Sequence, residues 1–261
     1  MKLTIIGSGT AIIKKERRAP CFLLETKNQK LLFDCGWGCL SGLMEIGINL
    51  NEIDQIFISH SHADHLANLI PLLQSILVTG VYFPQKARKK DLIIHGYKGF
   101  EKDYQSLRKI MFPEKQETYR IIIREHTNDK EKTNNLEIET KEVTHVPQYF
   151  PSVAYRINSE GKSFAYSGDC NYNENIIILA ENSDLLLLDG SVPVESFRKH
   201  GPFLTHLSPF EAGKIAQKAK VKTLVLFHFY DISQKSEIES EVGKSFPGNL
   251  IIPDDLQQII L

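Results

Sequence analysis

What the chain lacks narrows its class first. No uninterrupted apolar run approaches the roughly 18 residues needed to span a bilayer, so no membrane anchor is expected. The opening MKLTIIGSGT has an apolar stretch too short for a secretory signal and reads as a strand running into a glycine turn. Cysteine is scarce. Cys21, Cys35, Cys39 and Cys170 form no CxxC pair, which argues against a disulfide framework and for reduced thiols in a cytoplasmic protein. Neither sign of charge prevails: Lys and Arg number 31, Asp and Glu 32, for a formal net charge of -1. That excludes a global pull towards nucleic acid or membrane, so any polyanion has to be held by a local patch. No repeat, low-complexity tract or linker divides the 261 residues, and one domain spanning 1–261 is expected.

What is present is a series of short apolar or alternating runs bounded by turn residues. Strands are expected at Leu3–Ile6, Cys21–Glu25, Lys30–Phe33, Gln55–Ile58, Leu92–His95, Leu136–Val143, Val153–Ile157, Ser163–Tyr166, Leu185–Leu188 and Thr223–Phe227. Helical stretches lie between them at Gly38–Ile46, Asp64–Leu77, Phe100–Met111, Asn173–Ala180 and Pro209–Ala219. Ser208-Pro209-Phe210-Glu211 is a helix start, with Ser as N-cap, Pro at the first position and Glu closing a capping box. Thr127–Asn135 is polar and reads as a mobile loop. Two sheets with helices outside would make an α/β four-layer αββα sandwich, which periodicity allows without requiring.

The sharpest chemical signal is His60-Ser61-His62-Ala63-Asp64-His65, after an apolar strand and before a helix. Neutral imidazoles and carboxylates hold zinc at neutral pH, and four such groups in six positions can surround two adjacent ions. As mere surface polar residues, three imidazoles this close would repel on protonation. The pattern H-x-H-x-D-H resembles that of the metallo-β-lactamase superfamily, and further residues follow in that family's order. Asp34 stands in Leu32-Phe33-Asp34-Cys35-Gly36, His145 in Val143-Thr144-His145-Val146, Asp169 in Ser167-Gly168-Asp169-Cys170, and His228 ends Leu224-Val225-Leu226-Phe227-His228. The resemblance implies that fold and a ligand set for two metal ions. By it, His60, His62 and His145 hold one zinc, Asp64, His65 and His228 the other, and Asp169 bridges. Asp34 would buttress the site. Manganese or iron could use the same donors.

Within the superfamily the chain is most similar to the ribonuclease Z branch. Lys15-Glu16-Arg17-Arg18-Ala19-Pro20 after Gly7-Ser8-Gly9 resembles that branch's early basic motif, with Arg18 where its motif has Asn. Leu204-Thr205-His206-Leu207-Ser208 resembles its histidine motif, and Asp189 stands where it carries a glutamate that orients that histidine. The resemblance implies catalytic roles for Asp64, His206 and Asp189. His206 precedes a capped helix, whose N-terminus favours an anion. It could therefore touch a phosphoryl oxygen or protonate a leaving alkoxide. One departure stands out. In the branch's bacterial form a protruding tRNA-gripping arm sits between the third histidine and the bridging aspartate, yet His145 and Asp169 are only 24 positions apart (169 − 145). The arm is absent.

The expected activity is metal-assisted hydrolysis, with water activated by two zinc ions attacking phosphorus. The resemblance implies cleavage of an RNA phosphodiester, as at the 3′ end of the tRNA acceptor stem. A small-molecule or cyclic-nucleotide phosphodiesterase explains the missing arm equally well. A β-lactam hydrolase and an inactive metal-binding interaction module fit less well. Lys14 to Arg18 is the better of two candidate phosphate-binding clusters, Lys86 to Lys90 the other. RNA would need the first cluster or the second subunit of a homodimer. His95, His126 and His200 lie in no motif and are read as non-catalytic.

Overall fold

The structure, a computed structural model, describes residues 1–113, 117–133, 135–146, 150–192, 205–230 and 234–261. Strands β1 (Lys2–Gly7), β2 (Cys21–Glu25), β3 (Lys30–Phe33), β4 (Ile53–Phe57), β5 (Leu92–Tyr97), β6 (Ile121–His126) and β14 (Gln258–Ile260) make one sheet in the order 14-1-2-3-4-5-6. Strands β7 (Lys130–Thr133), β8 (Leu136–Val143), β9 (Ser152–Ser159), β10 (Lys162–Tyr166), β11 (Leu185–Asp189), β12 (Thr223–Phe227) and β13 (Asn249–Ile251) make the other, in the order 13-12-11-10-9-8-7. Both sheets are mixed: β3 to β6 run parallel, as do β10 to β13, and the remaining pairs are antiparallel.

The period of two explains why the sheets stack. In β11, a run of four leucines, Leu185 and Leu187 enter the core between the sheets while Leu186 and Leu188 enter a second core under helices. In β12, Val225 and Phe227 face the first core, Leu224 and Leu226 the second. The inter-sheet core is aromatic: Phe33 stacks on Phe57 at 4.7 Å, and Phe164, Tyr155 and Tyr166 meet Phe33 edge-on. Helices α1 (Cys39–Glu45), α3 (Leu69–Tyr82) and α4 (Phe100–Met111) cover the first sheet. Helices α5 (Glu174–Leu179), α6 (Pro209–Lys218) and α7 (Lys235–Gly243) cover the second. This is the four-layer α/β sandwich.

Two expectations change. Thr127–Asn135 is not a loop throughout, because Lys130 to Thr133 pair antiparallel with Leu136 to Glu139 as an edge strand. The helix expected at Asp64–Leu77 is two pieces, α2 (Ala63–Leu66) and α3, parted where the Asn68 N–H donates to the Cys35 carbonyl. The stretch Ala63–Tyr82 is long and apolar enough to cross a membrane by length and composition alone. It nonetheless buries Asp64, His65, Leu69, Ile70, Leu72, Leu73 and Ile76 inside the protein, as a core helix does. Three of the four thiols meet in space: the Cys21 and Cys39 sulfurs lie 2.7 Å apart, with Cys35 3.6 Å from Cys39. Burial pushes all three pKa values up, so they are neutral thiols.

Candidate metal centre

Each candidate ligand sits where a strand ends. The chain leaves β4 and turns through His60 and His62 into α2, which carries Asp64 and His65. His145 follows β8, Asp169 follows β10, and His228 follows β12. Two glycines let these segments meet. A Cβ on Gly36 would lie 1.9 Å from the Asp64 carbonyl oxygen. Gly168 has φ +60°, and a Cβ there would lie 2.6 Å from Cβ of Ser59.

The donors fall into two sets that share one carboxylate. His60, His62, His145 and Asp169 form one, Asp64, His65, Asp169 and His228 the other, with ligand atoms inside each set within 4.8 Å of one another. In the first, His62 Nδ1 lies 2.9 Å from His60 Nε2 and 3.2 Å from His145 Nε2. In the second, Asp169 Oδ1 is 3.2 Å from His65 Nε2, while its Oδ2 is 3.1 Å from His228 Nε2. Asp64 Oδ2 lies 3.4 Å from His228 Nε2 and 3.7 Å from His65 Nε2. All the residues expected as ligands are therefore brought together.

Surrounding groups aim the rings. His65 Nδ1–H donates to Asp34 Oδ2 at 2.6 Å, leaving Nε2 to face Asp169. Asp34 also accepts from the Ser59 N–H at 2.7 Å, from the Ser59 hydroxyl at 2.8 Å and from Tyr166. With its hydroxyl proton on Asp34, Ser59 can accept from His60 Nδ1, 3.0 Å away. His145 Nδ1–H donates to the Thr205 carbonyl at 2.7 Å. An outer partner of this kind sets the tautomer of a metal-binding imidazole.

Does the donor set fit cations? His65 Nε2, Asp169 Oδ1 and both ring nitrogens of His228 are buried without a hydrogen-bond partner among the described residues. Unpaired buried polar atoms are costly, and a cation would satisfy them. Burial pushes the pKa of His60 well below its ordinary value, with the charge of His65 adding to it, so His60 is a neutral donor. Burial also opposes charge on His65, yet Asp169, Asp34 and Asp64 outweigh it and raise its pKa well above normal. Three buried carboxylates around one imidazole are an excess of negative charge that divalent cations would neutralise. The residues fit.

His206 completes the site. Its ring lies 4.9 Å from that of His145 and 4.7 Å from that of His228, and its Nδ1 donates to Asp189 Oδ2 at 2.8 Å. The shorter aspartate therefore reaches the histidine, because β11 ends with Asp189 beside it. Burial opposes charge on His206, but Asp189 and then Asp169 overcome it and push its pKa to about 9. Sequence reasoning missed Tyr230, whose hydroxyl is 3.4 Å from His206 Nε2, and the supporting Ser59 and Thr205. Only proximity to named ligands in the sequence could have flagged them.

Two observations bear on anion binding. The N-terminus of α6 is already closed: the Glu211 N–H donates to Ser208 Oγ, and the Glu211 carboxylate accepts from the Ser208 N–H. The arginines of the basic clusters are committed internally, while Lys15, Lys86, Lys89 and Lys90 stay exposed. Arg17 donates to the Pro253 carbonyl at 2.7 Å and to Ser8 Oγ, and it covers the Phe229 ring at 4.5 Å. Arg18 pairs with Glu45 and Asp255, while Arg88 is buried and donates to the carbonyls of Asn51, Lys90 and Asp91. His200 lies outside the described residues.

A family model described as Anti-Pycsar protein Apyc1 matches residues 1–243. The chain belongs to that family. It is also similar to the ribonuclease Z of Halorubrum lacusprofundi, 23% identical over 98% of this chain and 95% of the relative. Among solved structures, the metallo-β-lactamase fold protein YhfI from Bacillus subtilis superposes with a TM-score of 0.82 at 22% identity, over 99% of this chain and 98% of that one. The short form of human tRNase Z gives 0.79 at 20% identity, over 100% and 99%. The chain is thus a ribonuclease Z-like, metal-dependent hydrolase with the metallo-β-lactamase fold.

Proposed function

We propose that the centre holds two divalent cations, zinc by donor chemistry, and hydrolyses a small phosphodiester such as a cyclic nucleotide. His60, His62 and His145 would hold one ion, Asp64, His65 and His228 the other, and Asp169 both; imidazole and carboxylate are ordinary zinc donors. Bound there, such cations lower the pKa of water and neutralise charge developing on a phosphoryl oxygen.

The chain's own groups do the rest. Asp34, Ser59 and Thr205 orient the imidazoles so that the donor nitrogens converge. Asp64 is positioned to ligate or to accept a proton from the attacking water. His206 holds a proton on Nε2 for the leaving alkoxide, and Asp189 fixes its ring through Nδ1 without touching substrate.

The observation that carries the small-substrate reading is the fate of the arginines. Arg17 and Arg18 tie the N-terminal loop to residues 253–255 and to Glu45, rather than presenting their charge to a polyanion. The span from His145 to Asp169 also holds β9 and β10, two strands joined by a tight turn. That leaves no length for a tRNA-gripping arm. A second reading, endonucleolytic cleavage of RNA at the tRNA 3′ end, is supported by relatives named ribonuclease Z. Turnover of cyclic nucleoside monophosphates, compared with mapped cleavage of a precursor tRNA, tests the choice. Efficient tRNA cleavage with no cyclic-nucleotide turnover would reverse it.

A further inference from the structure

A second meeting of imidazoles lies away from this centre, at the edge where β6 of one sheet passes through residues 127–129 into β7 of the other. His95 on β5, His126 on β6 and Glu131 on β7 bring one ligand atom each within 4.8 Å of one another. His95 Nδ1 is 2.8 Å from His126 Nε2 and 3.9 Å from Glu131 Oε1. The imidazole spacing compares with 2.9 Å between His60 Nε2 and His62 Nδ1 in the main centre.

The neighbours decide which atoms are free to bind. Gln55 Nε2 donates to Gln29 Oε1 at 2.6 Å, so Gln55 Oε1 is the acceptor facing His95 Nε2 at 2.7 Å. His95 therefore carries its hydrogen on Nε2 and turns the Nδ1 lone pair inward. His126 Nδ1 has the Asp129 carboxylate 3.6 Å away on its outer side, which leaves Nε2 facing His95. Glu131 Oε2 accepts from Arg124 at 2.6 Å, while Oε1 is buried with no hydrogen-bond partner among the described residues. A plain His126-to-His95 hydrogen bond would satisfy the two rings and still strand that carboxylate oxygen, at a desolvation cost. A cation satisfies all three atoms. Burial lowers the pKa of both histidines, keeping them neutral as ligands must be.

We propose that His95 Nδ1, His126 Nε2 and Glu131 Oε1 form a further divalent-cation site, of zinc class, that clips the two sheets together at their open edge. Two imidazoles and one carboxylate are an established zinc donor set, with a fourth position left for water. The Gln55 amide and Asp129 carboxylate are the outer partners that ligating histidines ordinarily have. The clip also lies against the strand that leads into the main centre. His95 stacks on Phe57 at 4.3 Å, and its carbonyl accepts from the Ile58 N–H two residues before His60.

The test counts zinc on the full chain. Metal-stripped protein is saturated with zinc, freed of excess by gel filtration, and assayed for metal by mass spectrometry beside Glu131→Gln and His126→Gln. Each variant should hold one zinc equivalent fewer than wild type, whatever number the main centre holds. Bis-p-nitrophenyl phosphate hydrolysis should stay unchanged. In an Asp169→Ala background, Glu131→Gln should remove a further equivalent, separating this site from the first. Cobalt substitution should give a visible absorption component in wild type that both variants lack. Equal zinc in wild type and in folded Glu131→Gln overturns the proposal, leaving a hydrogen-bonded pair. Joint loss of all metal and all hydrolysis overturns it too, since the cluster would then merely support the main centre. If both variants fail to fold, cobalt titration of a chain carrying His60→Ala, His65→Ala, Asp169→Ala and His228→Ala decides: a cobalt component must persist there, and its absence overturns the site.

Discussion

The two places where imidazoles gather are assembled in opposite ways. In the main centre every donor lies beyond a strand end, Asp64 and His65 on the short helix α2 and the others on turns, where His228 has φ of 70°. At the β6–β7 edge the histidines belong to regular strands, paired in register as His95 with Arg124 and His126 with Tyr97. The first arrangement presents donors to one end of the sandwich, with His62 half-buried at its rim. The second hides them between the sheets, with His95 wholly enclosed. Loop-borne donors at a rim can meet a substrate, while strand-borne donors in the interior can only hold the fold.

Substitutions can break that contrast, and the largest effect should come from the shared carboxylate. Asp169→Ala is expected to lose at least one metal ion and to slow hydrolysis by more than the about 10³-fold that one preorganised donor is worth, while remaining folded. Metal analysis beside circular dichroism checks this, and full turnover at full metal content would remove Asp169 from the site. Next comes His206→Ala, expected to keep its metal and lose about 10²–10⁴-fold in rate. If metal leaves with it, His206 is a ligand and its role must be redrawn. Asp34→Asn should weaken metal binding by about 10–100-fold through His65, read by competition with a chelator.

Asp189→Asn sharpens the contrast through pH. The form of His206 that protonates a leaving group exists below its pKa, which stands at about 9. Activity is then lost as pH rises through that value, and bound cations would draw the limb down towards neutrality by repulsion. Removing Asp189 removes the charge that raises the pKa, so the alkaline limb should move to lower pH by about one to three units. A rate–pH profile with an unmoved limb would detach His206 from it. The smallest effect is expected from Arg17→Ala. Arg17 braces Ser8, whose carbonyl accepts the N–H groups of both His228 and Phe229. Hydrolysis of a small phosphodiester and any RNA cleavage should therefore fall together by a few-fold; loss of RNA cleavage alone would return Arg17 to the phosphate-binding role.

The same contrast explains what could be read from the residues. His60 to His65 are legible because the donors crowd into six positions, and the leucine-rich and alternating strands because their two faces meet two cores. Asp34, His145, Asp169 and His228 are single residues, intelligible only in the order the family resemblance supplies. Edge strands escaped notice for a physical reason. β7 reads Lys-Glu-Lys-Thr, with no apolar residue to mark its inner face, and β6 spreads intermediate burial over Ile121 to Arg124 without alternating. Helix α7 buries only Ile238, Glu241 and Val242, too few for a stripe. The pairing of His95 with His126 across 31 positions left no mark in the sequence at all.

The clasp around Ser8 has a consequence for biosynthesis. Arg17 donates to the Ser8 hydroxyl, and the Ser8 N–H and hydroxyl both donate to Asp255. The first strand, β1, lies between β2 and β14, so one of its edges waits for residues 258–260. A ribosome that has just delivered His228 has supplied every donor of the main centre, but not the carboxylate that fixes the turn on which His228 rests. A nascent chain stalled before residue 255 should thus carry the full set of ligands and still be catalytically mute, so that competence waits for Asp255 and the strand after it.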